Sequence, residues 1–179
     1  SWAGGVWFTP VGSRTVGVKD DRQYPLSYIS CILSGSDGLL YQALREDQGL
    51  SYASGAFSAP GEDTGFFAVF AAAGSDKFPR SKDAVLGLMD RISSGELSAE
   101  DILSCRNKLL SQYAASIESS SSLSLNIALD GLYGLGFNYH EQTPSKIKAV
   151  TPESIKKCAE EFFGRLDRAI VEILPKDLR

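Results

Sequence analysis

The chain has 179 residues, of which 43% are hydrophobic and 22% charged, ordinary values for a single folded domain. Lysine and arginine number 18 against 22 acids, a net charge of −4, so no basic surplus exists to neutralise phosphates and nucleic acid is excluded as a partner. Apolar runs such as residues 66–73 fall far short of the ~20 residues that cross a bilayer, which argues against a membrane span.

Residues 5–12 (GVWFTPVG) carry β-branched and aromatic side chains between glycines and predict a strand, weakened at its end by Pro10. Residues 15–20 read as a polar connection. Asp21 is the expected N-cap of a helix on which Leu26, Ile29, Ile32 and Leu33 recur at helical spacing, and Ser34-Gly35 stops it. A second helix is predicted over 38–47, ended by Gly49. Strands at 50–59 and 65–73 flank Pro60-Gly61-Glu62-Asp63, a turn sequence that predicts an antiparallel hairpin. Phe66, Phe67, Val69 and Phe70 make the second strand apolar on both faces, as a central strand would be.

Helices follow. One spans 78–93. The next opens at Ser98-Ala99-Glu100-Asp101, which resembles a capping box, and carries Ile102, Leu109, Leu110, Tyr113 and Ile117. After the serines at 119–122 a helix covers 123–133 and dissolves into Gly134-Leu135-Gly136. A short helix is possible at 144–150. Thr151-Pro152-Glu153 combines a cap, a proline at the first position and an acid in the first turn, and that helix ends at Gly164. Residues 167–174 (DRAIVEIL) form the predicted closing strand. The order β-α-α-β-β-α-α-α-α-β describes an α+β domain, a two-layer sandwich with helices on one face of a mostly antiparallel sheet.

The chemistry-bearing residues are few. His140 is the only histidine, in the polar stretch Asn138-Tyr139-His140-Glu141, and is expected at the surface. Cys31, Cys105 and Cys158 are widely separated and read as buried free thiols, compatible with a cytoplasmic or a periplasmic location. One histidine and three scattered cysteines do not make a zinc site, and no base is available for a serine or cysteine nucleophile. The glycine run 131–136 follows a helix, not a strand, so it is a helix exit and not a dinucleotide fingerprint. The acid pairs Asp20-Asp21 and Glu160-Glu161 fit caps or solvated faces.

One segment stands apart: Leu44-Arg45-Glu46-Asp47-Gln48-Gly49-Leu50-Ser51-Tyr52. Arg45 ends a helix, where it also suits the negative end of the dipole, and Tyr52 begins a strand. A tight turn brings a guanidinium and a phenol toward one cleft, where both could donate to peptide carbonyls or to a developing oxyanion.

The runs Ile32-Leu33-Ser34-Gly35, Leu40-Tyr41-Gln42-Ala43-Leu44-Arg45-Glu46 and Gly49-Leu50-Ser51-Tyr52 resemble the C-terminal, non-metal-binding domain of the pitrilysin/insulin-degrading-enzyme (insulinase-like) zinc metallopeptidases. Gly65-Phe66-Phe67-Ala68-Val69, Leu129–Gly136 and Val150-Thr151-Pro152-Glu153-Ser154-Ile155 add to the likeness. The resemblance implies that residues 1–179 are one C-terminal-type domain, a fragment of a longer chain. It also implies a homologous catalytic domain or subunit as partner, zinc held there by an H-x-x-E-H helix and none here, and a peptide substrate gripped by Arg45 and Tyr52. This chain has the Arg/Tyr arrangement and no H-x-x-E-H. The function so implied is that of a substrate-binding, non-catalytic domain of a zinc-dependent metalloendopeptidase. The other reading is a catalytically inactive structural or assembly domain derived from such a peptidase. On either reading, elemental analysis of the purified chain is expected to find far less than one tightly held zinc per chain, since a catalytic site takes three protein ligands.

Overall fold

The computed structural model describes residues 6–8, 11–46, 49–164 and 169–172, with the backbone alone at 6–8, 11, 12, 45 and 46. Strands β1 (Val6–Phe8), β2 (Val11–Val16), β3 (Ala53–Ala59), β4 (Thr64–Gly74) and β5 (Ala169–Ile170) form one antiparallel sheet. Helices α1 (Gln23–Leu33), α2 (Leu39–Tyr41), α3 (Phe78–Ser93), α4 (Ala99–Ser116), α5 (Ser120–Leu132), α6 (Thr143–Ala149) and α7 (Pro152–Phe163) supply the second layer. The α+β architecture expected from the sequence is the one observed.

Strand β4 is central. Its residues 66–72 pair with β3 on one edge, and on the other edge 64–69 pair with β2 and 72–74 with β1. The same register runs through β1 and β2, so the predicted first strand is longer than its apolar stretch and reaches Val16. The polar connection expected at 15–20 thus begins later, after Val16, and along the strand Ser13 and Thr15 are buried while Arg14 is exposed, the alternation of a sheet strand. Pro10 lies outside the described residues, as do residues 167, 168, 173 and 174 of the predicted closing strand. The hairpin β3–β4 forms as expected but starts at Ala53, because residues 50 and 51 are occupied in a turn described below.

Alternation along β4 sorts its side chains. Phe67, Val69 and Ala71 are buried against Leu26, Ile29 and Leu33 of α1, Val85 and Ile92 of α3, and Ile155 and Phe163 of α7. The Phe67 and Phe163 rings lie 4.7 Å apart between centroids. On the opposite face Phe57 and Phe66 are exposed and meet edge to face at 5.6 Å. The outer edge of β3 is covered from α1. The Ser34 hydroxyl accepts from the Ala56 amide (2.8 Å), and Ser30 and Ser34 donate to the Ala56 carbonyl (3.0 and 2.9 Å). Satisfying an edge in this way denies it to other strands.

The helix boundaries follow local chemistry. Thr151 and Ser154 form a reciprocal capping box ahead of α7. Ser98 accepts from the Asp101 amide at 3.0 Å. Asp21 does not cap α1 as expected: α1 begins after Arg22, and the Asp21 carboxylate pairs instead with Lys146. Arg22 holds both Asp20 and Glu161, and Glu160 lies 3.9 Å from Lys156, so all four acids of the two pairs stand in surface ion pairs. Tyr28 is fully buried and its hydroxyl donates to the Ile147 carbonyl at 2.9 Å, tying α1 to α6.

Phe66 and Phe67 test this arrangement because they are neighbours on opposite faces, 50% and 0% exposed. Phe67→Ala is expected to cost about 3–5 kcal/mol and Phe66→Ala about 1 kcal/mol or less, read from the midpoints of urea unfolding curves. Equal losses would refute the face assignment.

Candidate functional site

The segment from Leu39 to Tyr52 is built around two buried anchors, Leu40 and Leu44. The predicted helix over 38–47 is α-helical only for Leu39–Tyr41 and then widens into a π-helical stretch, Gln42–Glu46. Such wide turns are rare and concentrate at functional sites. Here the Leu44 carbonyl turns to accept the amides of Leu50 and Ser51, which ends the helix and closes the loop. Gly49 makes the reversal with φ +56°, a conformation that disfavours side chains with a Cβ. Residues 44 and 51 are therefore neighbours; Arg45 is the first residue inside the loop so closed, and Tyr52 the first beyond it.

Tyr52 is pinned by its backbone and open at its side chain. Its amide donates to the Ala72 carbonyl at 2.8 Å, and the Ser51 hydroxyl lies 2.8 Å from the same carbonyl. The ring is 70% exposed. Its hydroxyl stands over Gly74: a Cβ there would lie 3.4 Å from Tyr52 Oη and 2.9 Å from Asp76 Oδ1. Lys77 Nζ donates to the Gly49 carbonyl at 3.0 Å, bracing the turn from α3's N-terminal side. Thus Tyr52 presents a phenolic donor on an open surface, with the Asp76 carboxylate on the same side of Gly74. The Arg45 side chain lies outside the described residues. Asp76 and Lys77 escaped the sequence reading. The hairpin register could have found them, since Ala53 opposite Ala72 carries Tyr52 to the Gly74 turn.

His140 corrects an expectation. It is not a surface residue: its side chain is 12% exposed, and Nδ1 lies 2.8 Å from Oδ2 of the buried Asp130. The same oxygen accepts the His140 backbone amide at 2.8 Å. The pair closes the glycine exit of α5, where Gly134 and Gly136 take φ of +66° and +91°, and it borders a cleft of about 430 Å3 with Tyr24, Tyr113 and Tyr139. An acid in the otherwise apolar stretch Leu129-Asp130-Gly131-Leu132 was the available signal. The cysteines are free thiols, Cys105 and Cys158 buried and Cys31 half-buried, and burial pushes Cys158 up to about 12.

Among the described residues no three His, Cys, Asp or Glu side chains are grouped to hold a metal ion. The donors present do not fit a zinc site. No described helix is long and apolar enough to cross a membrane.

The fold and sequence have clear relatives. An inactive peptidase domain from Bordetella parapertussis superposes with a TM-score of 0.85 at 15% identity, covering 99% of this chain and 97% of that one. A protease from Helicobacter pylori gives 0.84 at 17% identity, over 95% of this chain and 41% of its own. The uncharacterized zinc protease YmxG of Bacillus subtilis (strain 168) is 21% identical over 169 residues, 92% of this chain and 40% of YmxG. The chain thus spans about two fifths of the length of that curated relative. Residues 11–109, which include β2, the hairpin and the turn bearing Arg45 and Tyr52, match the family described as the peptidase M16 inactive domain, and it is to this family that the chain belongs.

Proposed function

We propose that this chain is the substrate-binding, non-catalytic domain of a zinc-dependent metalloendopeptidase, working opposite a homologous domain or subunit that holds the zinc. The observation that supports the reading most is the Tyr52 hydroxyl. It is exposed on a backbone fixed by β4, on a chain that belongs to an inactive peptidase family and has no metal-ligand cluster among its described residues. The match to about 40% of YmxG leaves room in such a protein for the metal-bearing half.

In this reading the peptide lies across the end of β3–β4. Tyr52 donates its O–H to the peptide oxygen on which charge develops, and Arg45 donates its N–H groups to a neighbouring carbonyl. Neither role needs a metal in this domain. Both need donors held in place before the substrate arrives, and the bond of the Tyr52 amide to the Ala72 carbonyl supports that for Tyr52.

Three results are expected. The chain by itself hydrolyses no quenched fluorescent peptide, because it has neither a metal-activated water nor a nucleophile beside a base. In the full protein, Tyr52→Phe lowers kcat at least ~10-fold with little change in KM, the softer end of the ~10²–10³ loss on removing one oxyanion donor. Arg45→Lys is also damaging, since an ammonium cannot reproduce the planar fork of a guanidinium. Thermal melts of both variants should match the parent. Full kcat/KM in both would remove these residues from the site and favour an assembly domain that has lost its part in catalysis.

A further inference from the structure

Two thiols meet where α1 and α4 pack. Cys31, on α1, and Cys105, on α4, line the same hollow of about 20 Å3, with Asp37 and Lys108 at its rim. Cys105 is 3% exposed and sits in the core. Cys31 is half-buried and has a second aspect: it also lines an open cleft of about 420 Å3, together with Ser27, Ser30, Lys108 and Gln112. Cys31 is therefore the more accessible of the two thiols.

The surroundings make the two unequal. The Cys105 thiol beside it, reinforced by the Lys108 ammonium, holds Cys31 below the usual thiol range. Cys105 is pushed the other way by the same contact and by burial. Lys108 is itself oriented by Asp37, at 2.6 Å. Reactivity in thiol exchange follows thiolate character and access, and both favour Cys31 as the attacking sulfur. Cys158, buried with its thiol pushed up to about 12, has neither advantage.

We propose that Cys31 and Cys105 are a reversible thiol–disulfide site for low-molecular-weight anionic disulfides of the glutathione type, which enter by the cleft beside Lys108. The Cys31 thiolate attacks one sulfur of the disulfide, forming a mixed disulfide and expelling one small thiolate, which takes up a proton. Cys105 then loses its proton to solvent, and its thiolate attacks the Cys31 sulfur and expels the second small thiolate. Two protein thiols are oxidised to one disulfide and one small disulfide is reduced to two thiols. The product joins α1 to α4 across the layer that backs β3.

The test is to treat the reduced protein with oxidised glutathione at neutral pH and follow it by intact mass and non-reducing peptide mapping. The expected result is the loss of two hydrogen masses, a Cys31–Cys105 cross-linked peptide, and oxidation at least ~10-fold faster than any modification of Cys158. The cross-link, closing a long loop, should raise Tm by about 5–15 °C and be undone by a dithiol reductant. Cys105→Ser should stop at a stable glutathione adduct on Cys31, while Cys31→Ser should leave Cys105 unmodified. The proposal is overturned if wild type halts at the mixed disulfide, if Cys158 reacts as fast, or if thiols react only after unfolding in urea.

Discussion

The position of β4 decides the rest of the domain. It is paired along both edges, so its backbone polar groups are met by β3 on one side and by β1 and β2 on the other. That leaves its side chains to organise the layers: Phe67, Val69 and Ala71 collect α1, α3 and α7 on one face. The functional segment depends on it just as directly. The Ala72 carbonyl receives the Tyr52 amide and lies against the Ser51 hydroxyl, so the place where Tyr52 stands is set by the central strand and not by a mobile loop. Residues held by a scaffold strand make better donors than residues on a free loop, because less ordering remains to be done when a ligand arrives.

What could be read from the sequence was what local chemistry specifies. The hairpin was legible because Pro60-Gly61-Glu62-Asp63 can only turn, and α7 because Thr151-Pro152 both caps and starts a helix. The features that escaped are set by partners far away in the chain. Thr15 and Val16 look like the start of a connection until the β4 register makes them the end of a strand. Gln42–Glu46 looks α-helical until the Leu44 carbonyl is drawn to amides beyond the turn. His140 looks like a surface residue because nothing near it in sequence reveals Asp130, a full helix exit earlier, as its partner. Of the candidate site, the spacing of Arg45 and Tyr52 was legible, and the open setting of Tyr52 with Asp76 and Lys77 was not.

The fate of His140 also bears on the absence of a metal cluster among the described residues. The only imidazole in the chain is committed through Nδ1 and its own backbone amide to a single carboxylate, and that pairing holds the exit of α5 together. That contact orients the ring but leaves Nε2 uncommitted, and what stands against a metal is that His140 is not grouped with two further His, Cys, Asp or Glu side chains among the described residues. The Tyr52 phenol, exposed on a backbone bonded to β4, is a hydrogen-bond donor that needs no metal in this domain.

The two surfaces singled out here are mechanically connected. Ser30 and Ser34 of α1 hold the Ala56 amide and carbonyl on the outer edge of β3, three residues beyond the strand's start next to Tyr52. Cys31 lies between those serines in the same helix. A bond between Cys31 and Cys105 would therefore restrain the helix that seats β3, while leaving the exposed side of Tyr52 untouched. Its effect would fall on how firmly the donor is held and not on whether it is reachable, because the cross-link acts through the helix layer behind the sheet. A core packed at crystal-like density transmits a restraint with little slack, so a covalent link at the α1–α4 contact would be felt at the strand that α1 seats.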